Sequence, residues 1–349
     1  MIETVDFKPN EEYFAAANGY SGFISNFDKE FNPIDYERVF ILKGGPGTGK
    51  STLMKGIGSY FYGESVSIKA IYCSSDMHSL DGVTLTHNGK SVCIVDGTAP
   101  HTTDPLFPGA KEEIINLGDG FNNMLLRKSE NEIIKINKSK KEHYKNAYSL
   151  LKIAGYINDR IMANYSKIYD YYRAEYILEE LLKDEKIEES TCVGWQYISC
   201  FNKDGLTRLP IKNLPQRVIK ISGNGYSEYL FMRQLTDYIK LKNISKIYYS
   251  PLSDKLIECL CTPHFNVIVD NADTLALDTS GLTEQSAEST KLNEYKKGIE
   301  DLAAKSFALA AESHFALEKI YTEATSFSHN EKIFDELVGK IKLYLSINI

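Results

Sequence analysis

The sequence has no long hydrophobic run, few cysteines and no excess of positive charge, and each absence excludes a class of protein. No stretch approaches the roughly 18 apolar residues that a membrane-spanning helix needs. Six cysteines among 349 residues are too few for a disulfide scaffold. A net charge of -7 at pH 7 argues against a general nucleic-acid-binding surface. The N-terminus is acidic and lacks an apolar signal core, so we expect a cytoplasmic protein.

The composition is that of a globular chain long enough for two ordinary domains. A basic cluster at residues 135–145 lies in a charged helical stretch, and we interpret it as a solvated helix face. Cys259, Cys261 and His264 have no second ligand pair nearby, so we do not expect a metal site there.

One stretch matches the Walker A pattern G-x-x-x-x-G-K-[ST] over residues 44–51. Glycines let successive main-chain N–H groups turn toward a phosphate. We expect Lys50 to reach the β- and γ-phosphates of a nucleoside triphosphate, and the Ser51 hydroxyl to bind its Mg²⁺. The predicted nucleotide-binding residues are Gly45, Pro46, Gly47, Thr48, Gly49, Lys50, Ser51 and Thr52.

The flanking residues have the pattern that this motif requires. Residues 38–42 form a short apolar run of the buried-strand type. Residues 52–61 have apolar side chains at helical spacing. The order of strand, loop and helix aims the positive end of the helix at the phosphates.

A second strand is predicted to supply the metal-binding carboxylate. Residues 66–73 indicate a strand, and Asn88-Gly89 between residues 82–86 and 91–96 indicates a β-hairpin. Asp96 ends the second run, where an open α/β sheet presents side chains to ligands. We predict that Asp96 binds Mg²⁺ together with Ser51, although Asp96 before Gly97 could also be a turn residue.

Two aspartates are candidates for orienting the nucleophile. Gly97 stands where many hydrolytic P-loop ATPases have a glutamate. Asp76 and Asp81 could each orient a water molecule, or each could only bond to its own loop, and we predict Asp76 as the catalytic residue with Lys50 and Asp96. Residues 97–120 are interpreted as a loop, in which the reactive side chains are Thr98, His101 and Asp104.

Residues 121–186 have a helical pattern. Their apolar positions follow steps of four and three, which predicts long antiparallel helices packed as a hairpin. This hairpin could bind a protein partner or act as a lid, but packing against the rest of the chain is favoured. The apolar positions are Ala147, Leu151, Ala154, Ile161, Tyr165, Ile168 and Tyr172, with asparagine at 158.

The second half of the chain repeats the first in a degraded form. Residues 217–225 parallel 38–45, residues 246–250 parallel 70–74, and residues 266–272 parallel 92–98. A helical tail at 292–345 ends this half as 121–186 ends the first. We therefore divide the chain into residues 1–190 and 191–349.

The repeat lacks what phosphate binding needs. Its loop has no lysine, is expected to be one residue shorter, and contains Glu228, which would repel a phosphate. We predict one working site, with the second half supporting the fold or covering that site.

These motifs resemble a little-characterised bacterial family of tandem P-loop ATPases. The likeness is carried by residues 43–52, 73–76, 79–82 and 95–101 and extends over most of the chain. Members of that family usually keep a more intact second loop. The resemblance implies an α/β fold of the P-loop NTPase type, with a mostly parallel sheet that is duplicated, and long helical hairpins after each half. It also implies ATP binding with Mg²⁺ and ATP hydrolysis.

Three functions follow from these residues. The first is an ATPase whose hydrolysis drives a conformational switch. The second is a kinase for a nucleotide or another small acceptor, since residues 96–100 faintly resemble a nucleotide-kinase loop. The third is a nucleotide-dependent binding module with little turnover, which the degraded second loop and Gly97 favour.

Overall fold

The computed structural model describes residues 2, 4, 7–63, 65–99, 102–190, 195–212, 217–224, 226–284 and 286–347. The chain divides into two compact units. The first contains Met1–Ala15, Ser25–Lys145 and Ser306–Ile349, and the second contains Ala16–Ile24 and Asn146–Lys305. The expected division near residue 190 therefore does not match these units, because the first unit includes segments from both ends of the chain and the second begins with a segment near the N-terminus.

The described residues form strands and helices whose bounds are as follows. The strands are β1 (Glu11–Tyr13), β2 (Ala16–Gly19), β3 (Gly22–Ser25), β4 (Arg38–Lys43), β5 (Ser67–Tyr72), β6 (Leu80–His87), β7 (Lys90–Asp96), β8 (Glu112–Asn116), β9 (Trp195–Tyr197), β10 (Ser199–Asn202), β11 (Gly205–Arg208), β12 (Arg217–Ser222), β13 (Lys246–Ser250), β14 (Ser253–Cys261), β15 (Phe265–Val269) and β16 (Leu277–Asp278). The α-helices are α1 (Phe27–Glu30), α2 (Lys50–Phe61), α3 (Asn123–Lys128), α4 (Glu130–Ile168), α5 (Tyr171–Leu182), α6 (Ser227–Ile239), α7 (Ala287–Glu323) and α8 (Phe327–Leu345). Short 3-10 turns lie at Pro33–Asp35, Leu117–Gly120, Leu241–Asn243 and Ser280–Leu282.

The first unit is built on a six-stranded sheet with the order β1-β5-β6-β7-β4-β8. The pairs β1–β5, β7–β4 and β4–β8 are parallel, and only β6 runs antiparallel to its neighbours. The carboxyl ends of β4, β5, β7 and β8 therefore meet at one edge, where α/β sheets bind ligands.

The second unit repeats this topology strand for strand. Its sheet has the order β9-β13-β14-β15-β12-β16, in which β12 corresponds to β4 and β15 to β7. The antiparallel strand is again the third, β14, and the pairing with its neighbour is again irregular near the end. The predicted duplication and mixed α/β class are confirmed.

The predicted hairpin is formed by β6 and β7. Asn88 and Gly89 have φ angles of 49° and 79°, which is the left-handed pair that a tight two-residue hairpin turn requires. The same register places Gly82 opposite Val95, so the start of β6 lies beside the end of β7.

The interpretation of residues 97–120 as a loop is wrong at its end. Residues Glu112–Asn116 form β8, which pairs in parallel with β4 on the side opposite β7. Its sequence of two glutamates, two isoleucines and an asparagine is too short and too polar to stand out from the loop around it.

The expected hairpin within residues 121–186 is also wrong. Helix α4 runs without interruption for 39 residues, and its partner is α7 from the C-terminal tail. In the first unit Tyr144 of α4 packs against Phe307 of α7, with ring centroids 5.9 Å apart. In the second unit Arg160 Nη2 lies 3.5 Å from Glu288 Oε1 of α7.

Most of the apolar positions predicted in this stretch are buried. Ile168 and Tyr172 are exceptions, with 43% and 87% of their surface exposed. Asn158 fills the gap in the pattern and is fully buried, where it accepts a hydrogen bond from the Tyr226 hydroxyl. The buried positions are Ala147, Leu151, Ala154, Ile161 and Tyr165.

Each hydrophobic core is completed by a helix from the other half of the sequence. Helix α8 contributes Leu337 and Ile341 to the core around β4 and α2 in the first unit. Helix α5 contributes Ala174 and Leu178 to the core around β12 and α6 in the second unit. Across the part of the chain that the structure describes, no helix is both long and apolar enough to cross a bilayer.

Candidate functional site

The glycine-rich loop, residues 44–49, connects the end of β4 to the start of α2. Gly47 and Gly49 have φ angles of 69° and 84°, a region where a residue with a side chain is strained. Gly49 is the N-cap of α2, so the loop leads directly into the free N–H groups of the first helical turn. These N–H groups and the helix dipole favour an anion at this end of α2.

Lys50 is folded back under the loop. Only 9% of the residue is exposed, and its Nζ donates to the carbonyls of Gly44 (3.2 Å) and Gly45 (2.8 Å). The same Nζ lies 3.6 Å from Asp96 Oδ2. The structure therefore brings the predicted lysine and carboxylate together at one edge of the sheet.

Asp96 is held in one orientation. It is the last residue of β7 and pairs with Leu42 of β4, just before the loop. Its Oδ1 accepts hydrogen bonds from the Thr98 amide (2.9 Å) and the Thr98 hydroxyl (2.6 Å), which leaves Oδ2 facing Lys50. Oδ1 of Asp96 therefore has the role of a turn residue, and Oδ2 is the oxygen that we predict to bind a ligand.

Asp81 is a second carboxylate at this edge. It lies at the irregular start of β6, opposite the end of β7, and only 4% of it is exposed. Burial and the neighbouring Asp96 carboxylate raise the pKa of Asp81 to about 8, against a smaller lowering by Lys50. The predicted catalytic residue is Asp76, but the antiparallel pairing of β6 with β7 brings Asp81 next to Asp96.

Asp76 has a structural role in its own turn. Its Oδ1 accepts from the His78 amide at 3.0 Å and its carbonyl accepts from the Ser79 amide at 2.9 Å. These bonds shape the connection from β5 to β6, which is the alternative that the sequence left open.

Ser51 and Thr52 follow Lys50 in the first turn of α2 and have different surroundings. The Ser51 hydroxyl accepts a hydrogen bond from the Leu80 amide at 3.0 Å, next to Asp81 in β6. Thr52 is exposed. Ser51 therefore lies between the glycine-rich loop and the buried carboxylate, and its oxygen is available as a metal ligand of the type that Mg²⁺ prefers.

The loop after Asp96 is fastened by Lys43, the last residue of β4. Lys43 Nζ donates to the carbonyls of Gly97 (2.9 Å) and Thr103 (2.8 Å) and lies 3.3 Å from Asp104 Oδ1. The Asp104 side chain is 89% exposed. Of the predicted residues here, Pro100 and His101 lie outside the described residues.

The C-terminal helices cover the outer side of the glycine-rich loop, which sequence reasoning missed. A Cβ atom at Gly45 would lie 2.8 Å from the Tyr321 ring, and one at Gly47 would lie 2.6 Å from the Glu318 carbonyl oxygen. Thr322 Oγ1 donates to the Gly47 carbonyl at 3.2 Å. The glycines therefore allow both the loop conformation and the close approach of α7.

Asn330 of α8 makes the most buried of these contacts. Its Nδ2 donates to the Thr48 carbonyl at 2.8 Å, and 3% of the residue is exposed. No local pattern in the sequence links residue 330 to residue 48, so only the fold could bring them together.

The corresponding loop of the second unit is filled by its own carboxylate. Four residues, 223–226, separate β12 from α6, whereas six separate β4 from α2, so this loop is two residues shorter rather than the one expected. Gly225 lies outside the described residues. Counting from the helix start, Ser227 stands at the position of Lys50, and Glu228 at that of Ser51.

Glu228 is buried and turned toward the loop. Its Oε1 accepts from Asn271 Nδ2 at 3.3 Å, and its Oε2 lies 3.4 Å from Ser227 Oγ. A Cβ atom at Gly223 would be 2.6 Å from that Oε2. A carboxylate in this place repels a phosphate, so the arrangement leaves the first unit as the candidate phosphate site.

Comparison with protein-family models, curated proteins and solved structures finds no match to this chain.

Proposed function

We propose that this protein is a P-loop NTPase that binds Mg²⁺-ATP at residues 44–52 and hydrolyses it, with hydrolysis coupled to a conformational switch. The observation that carries the proposal is the meeting of Lys50 with Asp96 beneath a glycine-rich loop that opens onto a helix N-terminus. Fixed N–H donors, an ammonium and an oriented carboxylate are the groups that phosphoryl transfer needs.

The Lys50 ammonium has a clear role in this scheme. It exchanges the carbonyls of Gly44 and Gly45 for the β- and γ-phosphate oxygens, which are stronger acceptors because they are charged. The loop N–H groups and the start of α2 bind the remaining phosphate oxygens.

The donor set also fits Mg²⁺. Ser51 and Asp96 supply hard oxygen ligands. The described residues contain no group of three or more His, Cys, Asp or Glu side chains that could hold a metal ion. Mg²⁺ commonly binds through one or two protein oxygens with substrate phosphates completing its shell. When bound here, it would neutralise charge on the phosphates.

Asp81 is the carboxylate that we assign to the attacking water. In hydrolysis the water oxygen bonds to the γ-phosphorus, the bond to the bridging oxygen breaks, and ADP, phosphate and a proton are released. Gly97 leaves the position after Asp96 without a carboxylate, while Asp81 is buried beside Asp96 and close enough to interact with Lys50. Asp76, which is bonded to the His78 amide, is the less suitable of the two.

A nucleotide-dependent binding module with little turnover is the second candidate. The absence of a carboxylate at Gly97 favours it, because slow hydrolysis would leave a bound triphosphate to hold one conformation. A kinase is the third, and it differs from the others by its need for an acceptor.

The experiment combines calorimetric titration with Mg²⁺-ATP and a phosphate-release assay on the full chain, with and without a panel of phosphoryl acceptors. Release without an acceptor supports the ATPase, release that requires an acceptor supports the kinase, and tight binding with no release supports the binding module. Lys50→Ala should lose at least tenfold in affinity, or about 1.4 kcal/mol, with an unchanged far-UV spectrum. Lys69→Ala, in β5 beyond the site, is the matched control. Equal affinity of wild type and Lys50→Ala would contradict the proposal.

A further inference from the structure

The first unit contains a cavity of about 760 Å³ beyond the end of β8, the strand on the side of β4 opposite β7. It is lined by the turn and helix that follow β8 and by the junction between α7 and α8, including Phe121, Asn123, Met124, His329 and Lys332. Ligand pockets for small molecules typically measure about 300–1,000 Å³. The functions assigned so far to residues 44–52 and Asp96 use none of these residues.

The cavity is joined to the glycine-rich loop by two contacts. Tyr321 packs its ring against Gly45 on one side and lies 5.6 Å from the Phe121 ring on the other, measured between centroids. Leu117, which begins the 3-10 turn after β8, lies 3.4 Å from the position of a Cβ at Gly44. The Tyr321 ring therefore lies between Phe121, which lines the cavity, and Gly45 of the loop.

The sheet order determines which part of a nucleotide could reach this cavity. β4 lies between β7, which carries Asp96, and β8, which leads into the cavity. The metal-binding carboxylate and thus the γ-phosphate belong to the β7 side. The opposite end of a nucleoside triphosphate must then extend toward the β8 side.

The lining suits a base and a sugar better than a bare anion. Met124 is 76% exposed and Leu125 is 43% exposed, and with Phe121 they offer apolar surface to the flat face of a base. Asn122 Oδ1 accepts from the Leu125 amide at 3.3 Å and caps α3, whereas Asn123 is exposed and carries an amide of the kind that pairs with the polar edge of a base. The His329 Nε2 atom is buried and makes no hydrogen bond among the residues that the structure describes.

We propose that this cavity is the nucleoside subsite of the nucleotide site, so that it binds the base and sugar of the triphosphate held by the glycine-rich loop. This inference rests on the proposed function. It adds that the protein distinguishes nucleoside triphosphates from inorganic triphosphate through residues of α3 and of the junction between α7 and α8.

The test is calorimetric titration of the full chain with Mg²⁺ complexes of ATP, GTP, CTP, UTP and inorganic triphosphate. Wild type should bind at least one nucleoside triphosphate tenfold or more tightly than inorganic triphosphate. Asn123→Trp fills the cavity from an exposed position, so it should remove that tenfold preference and leave the affinity for inorganic triphosphate unchanged. Lys128→Ala, on the same helix but outside the lining, should change neither affinity.

The outcomes separate the two proposals. If wild type binds inorganic triphosphate and all four nucleotides equally, or if Asn123→Trp keeps the preference, the nucleoside subsite is overturned while the phosphate site stands. If wild type binds none of these ligands, the phosphate site itself is wrong and the subsite is overturned with it. Asn123→Trp must retain the wild-type far-UV spectrum and unfolding midpoint, and Asn123→Ala, expected to weaken nucleotide binding in the same direction, serves as the second variant.

Discussion

Asn330 and Lys50 show how single side chains hold the glycine-rich loop from two sides. Lys50 bonds to the carbonyls of residues 44 and 45 from within, and Asn330 bonds to the Thr48 carbonyl from α8. Both side chains are buried, so water is a poor substitute for either bond. The loop conformation therefore depends on a residue that is 282 positions away from Thr48 in the sequence.

Asn330→Asp should weaken both the fold and nucleotide binding. A carboxylate of the same shape cannot donate to Thr48, and a buried acceptor left without its donor costs roughly 1–3 kcal/mol. We expect a lower unfolding midpoint in urea and weaker Mg²⁺-ATP binding by calorimetry. Glu336→Ala, an exposed change on the same helix, is the control, and equal loss in both variants would show that the contact with Thr48 is unimportant.

Glu258 makes the stability of the second unit depend on pH. Burial raises the pKa of Glu258 against the opposing effects of Arg208 and Ser199, with Ser199 Oγ donating to Oε1 at 2.5 Å. In the unfolded chain the pKa of a glutamate carboxyl is about 4.3, whereas in the folded protein Glu258 keeps its proton to a higher pH. Stability therefore falls as pH rises from that value through the raised folded pKa, by up to about 1.4 kcal/mol per pH unit.

Glu258→Gln should remove this dependence, because an amide carries no ionisable proton. Urea unfolding of both proteins at several pH values between 4 and 8 measures the difference. We expect the variant to gain stability relative to wild type as pH increases. A constant difference across the range would mean that Glu258 ionises alike in the folded and unfolded chains.

At the scale of elements, α8 links the hydrophobic core to the candidate site. Its buried face carries Leu337 and Ile341 into the core shared with α2 and β4, and its first turn carries Asn330 to the loop. Helix α2 contributes Leu53 and Ile57 to the same core. The two helices that flank the loop are therefore held by one set of apolar contacts.

Leu337→Ala should destabilise the first unit and loosen the loop together. Leu337 is fully buried, and replacing a buried leucine by alanine costs roughly 2–5 kcal/mol. Leu343→Ala on the same helix should change stability by less than about 0.5 kcal/mol, since that side chain is 71% exposed. Urea unfolding monitored by far-UV circular dichroism compares the two, and similar losses would place α8 outside the core.

At the scale of the whole molecule, the two units share one sheet topology but have different residues at the loop that precedes the first helix. The first has a six-residue loop followed by a helix that begins with Lys50, and the second has a four-residue loop followed by a helix that begins with Ser227 and Glu228. The buried Glu228 carboxylate sits where an anion would have to approach the second loop. The two copies thus share one scaffold, and they differ in whether a lysine or a serine begins the helix after the loop.

We therefore expect one nucleotide per chain. Calorimetric titration with Mg²⁺-ATP should give a stoichiometry near one for wild type and for Glu228→Gln, with equal affinities because the altered loop takes no part in binding. Lys50→Ala should remove this binding. A stoichiometry near two, or a large loss of affinity in Glu228→Gln, would show that the second unit has a site of its own.

Residues close together in the chain were enough to predict the local elements and where the glycine-rich loop lies. Apolar runs and spacing predicted β4, β7 and α2, the Asn88-Gly89 pair predicted the hairpin, and three matching segments predicted the duplicated sheets. These features depend on residues that are close in sequence, where backbone preferences and side-chain spacing act directly.

The tertiary structure alone decided which distant segments meet. It paired α4 with α7, placed Asn330 and Tyr321 on the glycine-rich loop, and set Asp81 rather than Asp76 beside Asp96. An apolar face in the sequence predicts that the element packs against something. It does not predict which element it packs against, because any apolar surface of suitable shape would remove the face from water. Strand pairing and packing across the chain make that choice, and with it they decide what surrounds the loop.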